Sequence, residues 1–194
     1  ADILKDWMNK GGLYEEAAVL YRSNAQSRAI EEALLRASIP YRIYGGVRFY
    51  ERLEIKNAIA YLKVIFNNND NPSFERSISN PTRGVGEKTL SKIRNTSKQF
   101  NISYIKASAK LIDEGLISGR GGSGLRDYLE FISGCKGFIE ENLLSELMEL
   151  IIKDTGLYAY HGKEAGEKGK TRTENLEELI TATKNFEQSI KDEK

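Results

Sequence analysis

The stretch that carries the most chemistry is Asn80–Leu90, N-P-T-R-G-V-G-E-K-T-L. Pro81 cannot continue a helix, so the segment Phe74–Ser79 must end there. Gly84 and Gly86 flank one apolar residue, which lets the chain turn tightly with φ > 0 and no Cβ in the way. Glu87 suits the first turn of a new helix, and Lys88, Lys92 and Arg94 follow on it. Helix, Gly-Val-Gly turn, helix: this order leaves backbone N–H groups bare at a helix start, where they hold a phosphate oxygen without reading a base. An ordinary helix–helix turn has the same pattern. A nucleotide-binding P-loop does not, because Glu87 separates Gly86 from Lys88 and no apolar strand precedes the turn.

The charge around this turn points the same way. Over the whole chain of 194 residues the net charge is only +1. Arg76–Lys106, however, holds seven basic residues against the single acid Glu87, while Arg126–Lys194 holds ten basic against fifteen acidic residues. An anionic polymer would meet a local positive field at the turn. A lone Cys135 excludes an internal disulfide, and with a lone His161 it argues against a metal site. No apolar run approaches a membrane span and no signal-peptide pattern opens the chain, so a soluble, cytoplasmic protein is expected.

The elements that must position the turn are mainly helical. Ile3–Asn9 reads as a short helix ended by Gly11-Gly12. Ala17–Tyr21 (A-A-V-L-Y) and Tyr41–Tyr44 (Y-R-I-Y) read as short strands around a helix at Ala25–Ala37, a small βαβ-like piece. Two strands cannot cover themselves, so the rest of that sheet must come from outside this sequence. Arg22, Ser23 and Asn24 project from the end of the first strand, the rim where open α/β sheets bind ligands. Gly45-Gly46 is a break, followed by Arg48, Phe49, Tyr50, Arg52 and Lys56, a basic and aromatic cluster that suits a single-strand channel; buried rings with snorkelling arginines fit the pattern too. Helices are expected at Leu53–Phe66, Ser73–Ser79, Thr89–Phe100, Ile102–Ile112, Leu125–Ile132 and Leu143–Thr155. Ser118–Gly124 (S-G-R-G-G-S-G) and Tyr158–Lys170 read as mobile connectors. Thr171 and Glu174 match a capping box at a helix start; ordinary capping suits the acidic charge downstream, and a second phosphate contact from Lys170 and Arg172 is the other reading.

In this arrangement the chain resembles superfamily-1 DNA helicases of the UvrD/PcrA/Rep group. The resemblance rests on Ala18–Arg28 (A-V-L-Y-R-S-N-A-Q-S-R), Pro40–Lys56, Asn80–Leu90 and Gly166–Leu179, in family order across nearly the whole chain. It implies a mainly α fold with a small α/β part. Residues 1–44 would be a partial RecA-like 2A motor subdomain and 45–194 the helical 2B subdomain, with a hinge at Gly45 and Gly46. It implies duplex contacts from Thr82, Arg83, Gly84, Val85, Gly86 and Thr89, to which the residues themselves add Lys88 and Arg172 as candidates. Arg22 and Asn24, with Arg48 and Phe49, would line the single-strand path. The resemblance further implies a parent enzyme that unwinds DNA with ATP and Mg²⁺, and partners comprising DNA, the remaining helicase subdomains and repair proteins. The chain itself has no G-x-x-x-x-G-K-[ST] and no acidic pair after a strand, so it is expected to be inactive as an ATPase and to need no cofactor. A second reading makes the helical part a regulatory, protein-docking module that swings about the glycine pair, with its acidic second half facing a protein.

Overall fold

The computed structural model describes residues 1–192. Ten α-helices appear in order among them: α1 (Asp2–Asn9), α2 (Ser27–Arg36), α3 (Leu53–Phe66), α4 (Asn71–Ser79), α5 (Glu87–Phe100), α6 (Tyr104–Asp113), α7 (Gly119–Glu141), α8 (Leu144–Asp154), α9 (Leu157–Gly162) and α10 (Glu167–Asp192). Short 3₁₀ turns stand at Tyr14–Glu16, Asn24–Gln26 and Phe49–Glu51.

α3 is the axis of the molecule. Nothing between Leu53 and Phe66 breaks a helix, and its apolar residues reach almost all round, the pattern of a helix enclosed by others. Ile55, Ala58, Tyr61, Val64 and Ile65 are buried on it, and α4, α7, α8, α9 and α10 all pack against it. The same core takes Phe74 from α4, Leu90 and Ile93 from α5, Leu125, Tyr128 and Ile132 from α7, Leu147 and Ile151 from α8, and Leu176 and Leu179 from α10. At its centre Phe74 and Tyr128 meet edge to face with ring centroids 5.4 Å apart, and Tyr61 lies 6.0 Å from Tyr128. Such aromatic pairs add about 0.5–1.5 kcal/mol each to the burial of their surface. Of the apolar face expected on Leu143–Thr155, Leu147 and Ile151 are fully buried, whereas Leu143 remains exposed and Met148 and Ile152 join the core.

Local signals explain most helix ends. Asp70 caps α4, accepting from the Ser73 amide at 3.0 Å and the Ser73 hydroxyl at 2.8 Å, so this helix begins at Asn71, two residues before the expected Ser73. Asn101 ends α5 in the left-handed region at φ 51°. Gly156, at φ +80°, turns α8 into α9.

Four expectations are corrected. Among the described residues there is no strand. Ala17–Tyr21 and Tyr41–Tyr44 run outside regular structure, because neither finds a neighbour to complete a ladder. Ser118–Gly124 is not a connector but the start of α7. Its glycines are contact surfaces, since a Cβ on Gly124 would stand 2.1 Å from the Arg83 carbonyl oxygen and one on Gly121 2.9 Å from that of Gly84. Tyr158–Lys170 is likewise largely helical, forming α9 and the first turn of α10. A Cβ on Gly169 would lie 2.4 Å from the Glu164 carbonyl oxygen, so glycine there admits a close approach of α10 to the preceding chain. Finally, Thr171 and Glu174 lie inside α10, where amides already have partners one turn back, and form no capping box.

Candidate nucleic-acid interface

The Gly-Val-Gly turn lies on the surface between α4 and α5. Thr82, Gly84, Gly86 and Lys88 are exposed, while Val85 packs its side chain against the core. Gly84 takes φ +76°, which favours glycine; Gly86, at φ −94° and ψ 179°, is the N-cap of α5. The Gly86 carbonyl accepts from the amides of Thr89 (2.9 Å) and Leu90 (3.0 Å). The amides of Gly84, Val85, Gly86, Glu87 and Lys88 donate to nothing among the described residues. Open donors thus run from the turn into a helix start, where the macrodipole also favours an anion.

The cations around the turn divide sharply. Lys88 is exposed and has no carboxylate partner among the described residues. Arg83 points inward, a correction to its expected place on the phosphate-facing side. Its Nη1 donates to the carbonyl oxygens of Pro81 (2.8 Å) and Ser77 (3.3 Å), and its Nη2 to that of Thr155 (3.1 Å). Its guanidinium also sits 5.4 Å from the Tyr61 ring centroid and 5.7 Å from that of Tyr128. Arg83 therefore braces the turn against the core. Arg94 is held by Glu75 (2.6 Å) and Glu87 (2.5 Å), which draws its charge away from solvent and holds the Glu75 carboxyl below its ordinary range. Lys92 donates to the Leu116 carbonyl oxygen at 2.8 Å.

Arg172 is the second correction. Only 17% of its side chain is exposed, and it is paired with Glu164 and, at 3.6 Å, with Glu54. It cannot turn outward to a phosphate without abandoning the partly buried Glu164 and the buried Glu54. His161 stands beside this pair, wholly buried, with Nδ1 3.3 Å from both Glu164 and Arg172. Burial lowers its pKa; Glu164 opposes that shift and Arg172 reinforces it.

The residues expected on a single-strand path are more dispersed. Arg22 and Asn24 are exposed at the 3₁₀ turn before α2, where the Gln26 side chain accepts from the amides of Arg22 (3.0 Å) and Ser23 (3.3 Å). Arg48 is exposed with its guanidinium 5.3 Å from the Tyr41 ring centroid. Phe49 is the third correction: it is fully buried against Tyr50 and Arg52 and offers no face to a base. The exposed ring is Tyr50, whose hydroxyl donates to Glu32 and is pushed up to about 12 by burial first and that carboxylate second.

Gly45 and Gly46 are exposed, as a hinge requires, yet buried polar contacts bridge them. Arg52 donates to the Asn24 carbonyl (2.9 Å), the Ser27 hydroxyl (2.6 Å) and Asn175 Oδ1 (2.7 Å). Glu31 accepts from Ser27 (2.8 Å) and from the Phe49 amide (3.2 Å), and Asn175 donates to Glu54 at 2.6 Å. Arg28 pairs with Glu178 of α10 at 2.6 Å. Burial lowers the Arg52 pKa while Glu31 and Glu54 oppose it. Sequence reading missed this joint because Ser27, Arg28 and Glu31 look like the wet face of α2, and nothing nearby in sequence shows what α10 brings.

The glycine-lysine-threonine run in α10 has the letters of a phosphate loop but not its setting. Gly169-Lys170-Thr171, the nearest match to a phosphate loop, lies in α10, and Gly169 faces the carbonyl oxygens of Glu164, Gly162 and His161, which repel phosphate. No helix among the described residues is long and apolar enough to cross a membrane.

Comparison with known proteins agrees with the resemblance. Residues 1–114 match the UvrD-like helicase C-terminal domain. The chain is 47% identical to DNA helicase II of Escherichia coli over 98% of its own length and 26% of that protein. It is 46% identical to DNA helicase II of Salmonella typhimurium over 98% of this chain and 26% of that one. ATP-dependent DNA helicase PcrA of Leuconostoc citreum is 36% identical over 93% of this chain and 24% of its own. The chain spans about a quarter of the length of these curated relatives. It belongs to the UvrD-like helicase family.

Proposed function

We propose that this chain is the duplex-gripping part of an ATP-dependent DNA helicase. The carrying observation is the run of open amides from Gly84 to Lys88 at the exposed start of α5. Backbone donors of this kind position a protein on a sugar-phosphate rail without reading sequence, as unwinding of arbitrary DNA requires. Lys88 adds a free cation, and Thr82 and Thr89 add hydroxyls at the rim. Arg83 serves the same grip indirectly, by holding the turn in shape.

In this reading residues 45–194 form a 2B subdomain and residues 1–44 part of a 2A motor subdomain, joined at Gly45-Gly46. Leu20 and Tyr44, 94% and 87% exposed, are the apolar surface that the rest of the 2A sheet would cover. Arg22, Asn24 and Arg48 then face the single strand. ATP and Mg²⁺ act elsewhere in the parent, where they supply the phosphoryl chemistry that drives movement.

A salt series with a fluorescent blunt duplex tests the grip by anisotropy. The chain should bind with a Kd of roughly 10⁻⁴–10⁻⁶ M and lose affinity linearly on a log–log plot against salt. Salt-independent binding, or none at low salt, would remove the turn from the DNA interface.

A further inference from the structure

We propose that Arg120, in the first turn of α7, is the guanidinium that completes the phosphate grip of the Gly-Val-Gly turn. The sequence offers that role to Arg83, two residues from the glycines' centre, but Arg83 is taken up by three carbonyl oxygens and two aromatic rings. Arg120 lies 36 residues beyond Gly84 in sequence and against it in space. Its Cγ is 2.9 Å, and its carbonyl carbon and oxygen 3.3 Å, from the point a Cβ on Gly84 would occupy. The absence of a side chain at Gly84 and Gly121 is what lets the two backbones come this close.

Availability separates Arg120 from its neighbours. It is exposed and makes no side-chain hydrogen bond or ion pair among the described residues. Arg94 and Arg172 are held by carboxylates, and Lys92 by a carbonyl oxygen. Lys88 on α5 and Arg120 on α7 thus bring free charge to the glycines from two different helices. A cation in the first turn of a helix is disfavoured by the macrodipole, so Arg120 gains the fold nothing from its position. A guanidinium there can donate two parallel hydrogen bonds to one phosphodiester while the turn's amides take a neighbouring oxygen.

The proposal rests on reading the turn as a duplex contact, and one titration separates the two. The probe is a fluorescent blunt DNA duplex of mixed sequence, titrated with the 194-residue chain between about 50 and 200 mM salt. Arg120→Ala should lower the log–log salt slope by about 0.9 and weaken binding about tenfold at the low-salt end, with the melting temperature unchanged or raised. Arg120→Lys should restore the slope, since the counterion term depends on charge. Arg83→Met should lower the melting temperature and, measured well below it, keep the wild-type slope. A wild-type slope in Arg120→Ala, or a slope in Arg120→Lys no closer to wild type than that of Arg120→Ala, would overturn the assignment and leave the turn's own role intact. If the wild-type chain binds no duplex, both readings fall together.

Discussion

Two glycine-bearing, cation-rich regions look alike in the sequence and differ in the fold. Around Gly84–Gly86 the backbone is exposed, its amides are open, and Lys88 is unpaired among the described residues. Around Gly45–Gly46 the glycines are exposed, but Arg28 and Arg52 are buried and each meets oxygen acceptors from α2, from the chain before it or from α10. In the proposed reading the first region receives an anion from outside. The second has supplied its own acceptors and is a joint. Counting basic residues does not separate the two; asking what each guanidinium already touches does.

The contrast can be broken most forcefully at the joint. Arg52→Ala would leave the Asn24 carbonyl, the Ser27 hydroxyl and Asn175 Oδ1 without their shared donor, and would take a cation from beside the buried Glu31. A buried polar group left without its hydrogen-bond partner costs about 1–3 kcal/mol. Urea unfolding should show that loss, and a cost below about 1 kcal/mol would mean that water reaches the joint and that the two regions differ less than described.

A smaller effect belongs to His161. Its folded pKa lies below its unfolded value, so the unfolded chain takes up the proton first and stability falls as pH drops below about 6.5. Above that value both states are neutral and the term vanishes. The slope can reach about 1.4 kcal/mol per pH unit, and His161→Gln should flatten it below about pH 6.5. Because the chain has one histidine, its imidazole resonance can be followed alone; titration at or above the ordinary value would contradict the packing of α9 against α10.

The smallest change in stability is expected at Lys88. Lys88→Gln should shift unfolding by no more than about 0.5 kcal/mol, as for an exposed side chain without partners. It should nevertheless reduce the duplex salt slope by about 0.9. Equal stability with an unchanged slope would show that the exposed amides work without this cation.

Helices with regular apolar spacing were legible, most to within two residues of their ends, although Leu125–Ile132 is only the middle of the longer α7. Leu53–Phe66 has the bounds that Ile55, Ile59, Leu62 and Ile65 dictate. The glycine-rich stretches were not, because glycine marks both a loop and a close approach, and only the partner backbone distinguishes them. At Gly124 that partner is the Arg83 carbonyl, distant in sequence. The two β-leaning runs failed for a related reason, since a strand is a property of a pair. In the site, exposure of Gly84 and Gly86 followed from the turn chemistry. The inward path of Arg83 depended on Thr155, Tyr61 and Tyr128, and burial of Phe49 depended on the packing of α2 beside it.

The bridged glycine pair has a mechanical consequence. Because Arg52, Ser27, Glu31 and Arg28 join the segments on either side of it, the Gly45–Gly46 peptide is a slack strap beside a fastened clasp. Torque applied to α2 would reach α10 through side chains rather than along the backbone. If the pair is the hinge of the proposed reading, swivelling about it must undo several buried contacts at once, and the two segments should exchange between discrete settings instead of drifting through a continuum.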